Sequence, residues 1–382
     1  MKKIVFSLII LLGINLTAFA QDTPIDVIYV HGSNQVNLGG AEGFAVWMNR
    51  MHPNLKKNFE KSDFIQLHLL SGAYIKDEPD MLYWGDMLRN NKSLVDSGLK
   101  KSEKMSSKVS QLTRGLIGQV VHDAVWLQKN KNMTPILDEL HNKVITNYKN
   151  GEKTILVGYS AGTFITLHYL LMRAPVINLS DIFEQFKGEN NITNNDISLA
   201  KKYAPQNTCT SAAIRTNLFY VDREGILKLN EDAKQRENAI KQINQQTASV
   251  CSPEGAISGV LNFGSPIVVF YSELSDDNKL NKYIVAKTKQ NIVETSKFYL
   301  TVNYSKDPIA MPIPDFKYEQ ILQDKNCKDT KRGNGFIYDT IVKGGGITAE
   351  GHMQYWYSTN SYTKAVAKSY AKGYKYFYNI EQ

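Results

Sequence analysis

Short apolar runs alternate along this chain with longer amphipathic or polar stretches, and run length separates strand from helix. Ile25–Val30 is rich in β-branched and aromatic residues and stops abruptly at His31-Gly32-Ser33. Runs of this kind, bounded by turn residues, read as buried strands. Phe64–Leu70, Met81–Trp84, Thr154–Val157, Ile257–Phe263, Phe298–Asn303 and Phe336–Val342 are further strand candidates. Helical stretches fall between them. Gly115–Gln128 sets Ile117, Val120, Val121, Ala124 and Leu127 at helical spacing. Pro135–Lys149 is preceded by Thr134 as a cap, opens on proline and is closed by Asn150-Gly151. Thr163–Met172 and about Tyr362–Tyr374 read as two more helices. This alternation predicts an α/β fold, a mostly parallel sheet with helices on both faces.

Two stretches break the alternation. Residues 90–112 are polar and rich in lysine and serine, a weak amphipathic helix or an excursion. Residues 175–256 are rich in Asn, Gln, Lys and Glu; Glu231–Gln246 reads as a charged surface helix and Leu218–Val221 as a short strand at most. We expect this span to be a helical cap or lid inserted between two parts of the core, residues 21–174 and 257–382. The first twenty residues form a separate segment: Met1-Lys2-Lys3, an apolar run from Ile4 to Leu16, then Ala18-Phe19-Ala20. A basic start, a short apolar core and an A-x-A ending make a secretory signal peptide. The run is shorter than the roughly 20 residues a membrane span needs, and no cysteine follows Ala20 for a lipid anchor. The expectation is export to the periplasm or beyond, with the mature chain starting at Gln21.

Composition narrows the partners. A hydrophobic content of 42% is enough for a sizeable core. The formal charge of +8 is spread along the chain, which favours transient approach to an anionic surface such as lipid head groups. No basic stripe is interleaved with aromatics, so nucleic acid is not expected as a partner. In an oxidising compartment the three cysteines allow one disulfide. Cys209 and Cys251 flank one polar insertion and are the expected pair, with Cys327 left free; three free thiols are the alternative. No C-x-x-C or H-x-x-x-H spacing and no EF-type loop occurs, so no metal or cofactor is expected. No repeat or coiled coil is visible, and the chain reads as a monomer.

The chemistry centres on Gly158-Tyr159-Ser160-Ala161-Gly162, between a strand candidate and a helix candidate. Strand, G-x-S-x-G, helix is the arrangement of a nucleophile elbow, whose small residues let strand and helix nearly touch. A serine nucleophile needs a base within hydrogen-bond reach, and the base needs an orienting acid. With the chain order serine, acid, histidine, only His168 and His352 qualify as bases. His168 lies on the same predicted helix as Ser160, pointing away from the elbow's tip. His352 follows the last strand, in the glycine-rich loop 344–351, and is the expected base. Asp307, after the strand Phe298–Asn303 and before Pro308, is the expected acid; Glu273, Asp276, Asp277, Asp324 and Asp329 are its rivals. The backbone N–H groups of Ala161 and Ser33 are the expected oxyanion donors, with His31 tying the Ser33 loop down.

With these residues in place the chain resembles the α/β-hydrolase superfamily, and within it a lipase or esterase, from Ile25 to His352. Phe263-Gly264-Ser265-Pro266 is similar to the strand-end "GSP" of many lipases. Tyr159 departs from the commonest lipase form, which carries histidine before the serine. The resemblance implies ester hydrolysis through Ser160, Asp307 and His352, on a small-molecule or lipid ester. Two alternatives stay open: an amidase or peptidase on the same residues, and an inactive binding protein on a hydrolase fold.

Overall fold

The computed structural model describes residues 22–32, 39–88, 126–127, 130–174, 178–188, 191–206, 208–222, 227–266, 298–310, 336–346, 349–378 and 380. The strands are β1 (Thr23–Val30), β2 (Ala73–Ile75), β3 (Asp80–Leu82), β4 (Lys153–Tyr159), β5 (Phe219–Val221), β6 (Leu227–Leu229), β7 (Ile257–Phe263), β8 (Tyr299–Tyr304) and β9 (Ile337–Val342). The helices are α1 (Gly40–Glu60), α2 (Asp63–His68), α3 (Gly85–Leu88), α4 (Asn130–Lys149), α5 (Ala161–Arg173), α6 (Leu179–Gln185), α7 (Asn194–Tyr203), α8 (Thr210–Arg215), α9 (Ala233–Val250), α10 (Ala349–Tyr357) and α11 (Thr359–Phe377).

Seven of the strands form one parallel sheet in the order β2–β1–β4–β7–β8–β9, with β3 also on β1. β2 and β3 share one side of β1, on Thr23–Ile25 and Ile28–Val30 respectively. The chain therefore leaves β1 to one side, returns past it to β4, and continues outward through β7, β8 and β9. The side on which successive strands are added reverses between β1 and β4, while the strands stay parallel. The crevice outside the carboxyl ends of the strands at such a reversal is where open α/β sheets bind ligands.

Both faces of the sheet are covered. On one face Val27, Tyr29, Ile155, Val157, Leu261 and Phe263 pack against α1, α2, α10 and α11 through Met51, Phe59, Ile65, Trp356 and Tyr370. On the other, Ile28, Val30, Leu156 and Val260 pack against α4 and α5 through Ile136, Leu140, Val144 and Ile165. Successive strand residues alternate between these two cores, which explains the unbroken apolar runs. Each such side chain contributes on the order of 1.5–3 kcal/mol by its burial.

Three expected boundaries shift. Phe64–Leu70 is not a strand: residues 63–68 form α2, capped by Ser62, whose Oγ accepts from the Ile65 N–H at 3.4 Å. Ile65 and Leu69, four apart, are buried, while Leu67 is 68% exposed, a helical and not an alternating pattern. α4 begins at Asn130, so Pro135 lies inside it and Thr134 is not its cap. Its inward face, Met133, Ile136, Leu137, Leu140 and Val144, already starts before the proline. The missing proline N–H so near the start costs one intrahelical bond. Leu218–Val221 contributes β5, which pairs antiparallel with β6 away from the main sheet. The expected signal peptide, residues 90–112, most of the expected Gly115–Gln128 helix, Cys327 and the rival acids lie outside the described residues. Among the described residues no helix is long and apolar enough to cross a membrane.

Helices α6 to α9 and the β5–β6 hairpin enclose an apolar cluster of their own, with Leu179, Phe183, Ile197, Phe219, Ile240 and Ile243 buried. A disulfide joins Cys209 to Cys251. Hydrogen bonds tie this unit to the sheet body near the last residue of α5: Ser252 N–H donates to the Arg173 carbonyl, and the Arg173 guanidinium to the Val250 carbonyl and to Asp138. Arg215 reaches the same Asp138 at 3.4 Å. This end of α5 is about 20 Å along the helix axis from Ser160.

Inside the unit Arg236 and Asp196 form a buried ion pair at 3.1 Å. Arg236 also donates to the carbonyls of Asn230, Glu231 and Asn191. Burial alone would push the Asp196 carboxyl up, but hydrogen bonds from Arg236 and Thr193 hold it below the ordinary carboxylate value. A lowered folded-state pKa means that the stabilisation is complete above the unfolded value and is lost as pH falls through the folded one. Arg236→Met strands a buried carboxylate and is expected to cost about 3–5 kcal/mol in urea unfolding at neutral pH. The deficit should shrink on acidification below the ordinary carboxylate range; a constant deficit would contradict the assignment.

Candidate active site

β4 delivers Ser160 to the reversal crevice, and α5 starts on the next residue. Ser160 has φ 53° and ψ −125°, a conformation that non-glycine residues rarely adopt. Three bonds hold it there. Its N–H donates to the Phe263 carbonyl at 3.0 Å, and its carbonyl accepts from the Thr163 N–H at 3.0 Å and the Thr163 hydroxyl at 2.7 Å. Close approach explains the neighbouring glycines. A Cβ on Gly162 would lie 2.2 Å from the Val30 carbonyl oxygen, and one on Gly158 would lie 2.5 Å from Asn262 Oδ1. A Cβ on Gly32 would lie 2.5 Å from Ser160 Cβ and 3.1 Å from its Oγ. The loop after β1 thus presses directly on Ser160.

That loop is fastened by His31. Its Nδ1 donates to the Gly32 carbonyl at 2.5 Å, while Nε2 accepts from the Trp84 N–H at 2.8 Å, and the two rings stack at 4.7 Å. The Trp84 indole N–H donates to the His31 carbonyl at 2.9 Å. These contacts give His31 an anchoring role, as expected. Ser33 lies outside the described residues. Ala161 is the first residue of α5, where backbone N–H groups have no intrahelical acceptor and the helix dipole is positive.

Asp307 and His352 come together. Asp307 stands just beyond the end of β8, and its two carboxylate oxygens lie 3.0 and 2.9 Å from His352 Nδ1. Oδ1 also accepts from the Ile309 and Ala310 N–H groups, and Oδ2 from the Tyr355 hydroxyl at 2.9 Å. Burial would raise this carboxyl, but His352, the Ile309 N–H and Tyr355 outweigh it and hold the group below the ordinary carboxylate value. It is therefore an anion, an acceptor only, and fixes the His352 proton on Nδ1. Nε2 of His352 is buried and has no hydrogen-bond partner among the described residues. No hydrogen bond joins it to Ser160, although both side chains belong to the carboxyl-end layer of the sheet and both are about 3% exposed.

His352 is not in a loop, as its glycine-rich surroundings suggested, but in the first turn of α10. Gly351 makes this possible: a Cβ there would fall 1.7 Å from the Gly346 carbonyl oxygen. The helix start can fold back on Gly346 only because residue 351 is glycine. Gly264 serves the same end from β7. It has φ +58°, and a Cβ on it would meet the His352 ring at 2.8 Å. Ser265 then locks that strand end, donating its N–H to Asn303 Oδ1 at 3.1 Å and lying 3.0 Å from the Thr163 hydroxyl.

Two tyrosines complete the site and were not foreseen. Tyr355, one turn beyond His352, accepts from the Tyr304 N–H at 2.8 Å while donating to Asp307. Its i+3 spacing from His352 was the available signal. Tyr159 stacks on His352, ring centroids 5.0 Å apart at 26°, and donates to the His352 carbonyl at 2.9 Å. The remaining described histidines bond or pack elsewhere: His52 to the Lys76 carbonyl, His141 to Tyr169, His68 against Phe64 and His168 against Phe164. Among the described residues no three His, Cys, Asp or Glu side chains gather to hold a metal ion. No protein-family model matches the chain, and neither does any curated protein or solved structure.

Proposed function

We propose that the chain is a serine hydrolase that cleaves carboxylic esters through Ser160, His352 and Asp307, and that the β4–α5 turn is a nucleophile elbow. The observation that carries this reading is the Asp307–His352 pair. It leaves a buried Nε2 without a partner among the described residues, at the same end of the sheet as a serine held at positive φ.

In the proposed mechanism Ser160 Oγ attacks the ester carbonyl carbon as His352 Nε2 takes its proton. Asp307 orients the imidazole and stabilises the imidazolium without taking the proton itself. The carbonyl oxygen, now an oxyanion, is held by the N–H of Ala161 and that of Ser33. His352 returns the proton to the leaving alkoxide, and the acyl group stays on Ser160. A water, deprotonated by the same Nε2, then attacks the acyl carbon; the acid leaves as the Ser160–acyl bond breaks and Oγ takes the proton back from His352. The Ser160–His352 bond has to close for the first step; such bonds are commonly long without substrate and tighten in the complex.

Residues 175–256 remain proposed as an elaboration of this core. Their ties at the Arg173 end of α5 give a lid role over Ser160 no support. The reading is tested by treating the protein with a fluorophosphonate and assaying p-nitrophenyl esters from acetate to palmitate. We expect about one phosphonyl adduct per chain, mapped to Ser160 by peptide mass, and hydrolysis with a preferred chain length. A folded protein that is neither labelled nor active on any ester would sink it.

A further inference from the structure

The residue before the serine is the part of the G-x-S-x-G sequence that the mechanism leaves unused. A position next to a proposed nucleophile at the end of a buried strand has no need of a large aromatic side chain. Here it holds one of the largest fully buried side chains among the described residues. Tyr159 makes two contacts with one residue. Its hydroxyl donates to the His352 carbonyl at 2.9 Å, and its ring lies face to face with the imidazole. The ring is itself fixed, edge to face, by Trp356 at 5.1 Å and 82°, and tilted against Phe263 at 5.2 Å. It has no freedom to turn its face away.

We infer that Tyr159 is a positioning residue whose ring face stabilises the His352 imidazolium formed during turnover and whose hydroxyl fixes the backbone that carries it. The inference rests on the hydrolase reading. An aromatic face carries negative charge density, and a cation held against it in a desolvated site is attracted. Other titratable groups face the imidazole too. Asp307 approaches from the end of β8, Tyr355 from the same helix, and Ser160 belongs to the adjoining turn. Asp307 acts in the ring plane at Nδ1, and Tyr355 meets the ring edge-on, at 86°. Among the described residues Tyr159 is the group stacked on its face. The two forces are therefore separable: the carboxylate sets tautomer and direction, and the tyrosine face acts only once the ring is charged.

The test compares Tyr159→Phe with the same variant carrying a polyfluorinated phenyl ring at position 159. Both keep the shape of the site and lose the hydroxyl equally. Only the second loses the negative face. Fluorination should lower kcat for a p-nitrophenyl ester by roughly tenfold. It should also move the acid limb of the pH profile of kcat/KM to lower pH, because a less stabilised imidazolium gives up its proton more easily. KM should hold. Relative to wild type, Tyr159→Phe alone should lower kcat with no movement of the limb. A purely structural role predicts equal kcat and one limb position for the two ring types, and that result would overturn the inference. Fluorophosphonate labelling of wild-type Ser160 keeps the two levels apart. Wild type unlabelled and inactive defeats the hydrolase reading and this inference with it. Wild type labelled and active, with fluorination silent, defeats this inference alone.

Discussion

Ser160→Ala is expected to lower kcat for ester hydrolysis by about 10⁶, leaving the residual acceleration of about 10³–10⁴ over water that oxyanion donors and binding supply without a nucleophile. The loss should fall on kcat and hardly on KM, because Oγ makes no hydrogen bond among the described residues whose loss would disturb the ground state. Stability should barely change for the same reason. The stronger form of the experiment adds Ser160→Gly. At φ 53° a serine or alanine carries backbone strain that glycine does not. Ser160→Gly should therefore be as inactive as Ser160→Ala but more stable, by about 1 kcal/mol in urea unfolding. A gain in stability paired with loss of turnover is the mark of strain held for function. Equal stability for the three proteins would mean that the turn carries no strain, and unchanged turnover in both variants would remove Ser160 from the chemistry.

How far the sequence exposed this site depends on what each residue's role requires of its neighbours. β7 was legible residue for residue, because Ile257, Val260, Leu261 and Phe263 make a short, mostly apolar run of the kind a strand buried on both faces needs, and Gly264-Ser265-Pro266 ends it. The glycines around Ser160 were legible because close packing forbids a Cβ, whatever the distant partners are. Phe64–Leu70 misled because a short apolar run carries too few turns to reveal its period; Ser62, the cap, was the better guide. His352 was found from chain order, yet its glycines were read as a loop, since nothing local says that Gly351 faces Gly346 and lets a helix begin between them. Tyr355 and Tyr159 were invisible for a further reason. Each meets the site through a hydroxyl or a ring face, in contacts 48 and 193 residues apart in sequence. Composition sets residues 175–256 apart along the chain, but it cannot tell where their helices are tied to the sheet body. That depended on Arg173, Asp138 and Ser252, none of which stands out in the chain.

Asp307→Asn should be the most informative isosteric change, because the site dictates how the amide must lie. The Ile309 and Ala310 N–H groups both donate to Oδ1, so that position has to remain an oxygen. The NH₂ group is then forced into the place of Oδ2, facing His352 Nδ1 and the Tyr355 hydroxyl. Tyr355 can turn from donor to acceptor. Oδ1, 3.0 Å from Nδ1, is already taken by the two N–H groups, so the nearer contact, at 2.9 Å, turns His352 from donor to acceptor at Nδ1, which moves its proton to Nε2 and leaves no base for Ser160. The expected loss in kcat is about 10⁴, from the wrong tautomer, with the fold intact. The prediction has a pH signature. In the wild type Asp307 is held below the ordinary carboxylate range, so its charge persists and its support of the site is lost only when pH falls through that lowered value. Asp307→Asn removes this acid-labile contribution, and its stability should be flatter than wild type below the ordinary carboxylate range. Raising the pH should restore part of the activity, since hydroxide can take the Ser160 proton that His352 no longer accepts. A variant as active as wild type at neutral pH would show that Asp307 orients His352 for packing and not for proton transfer.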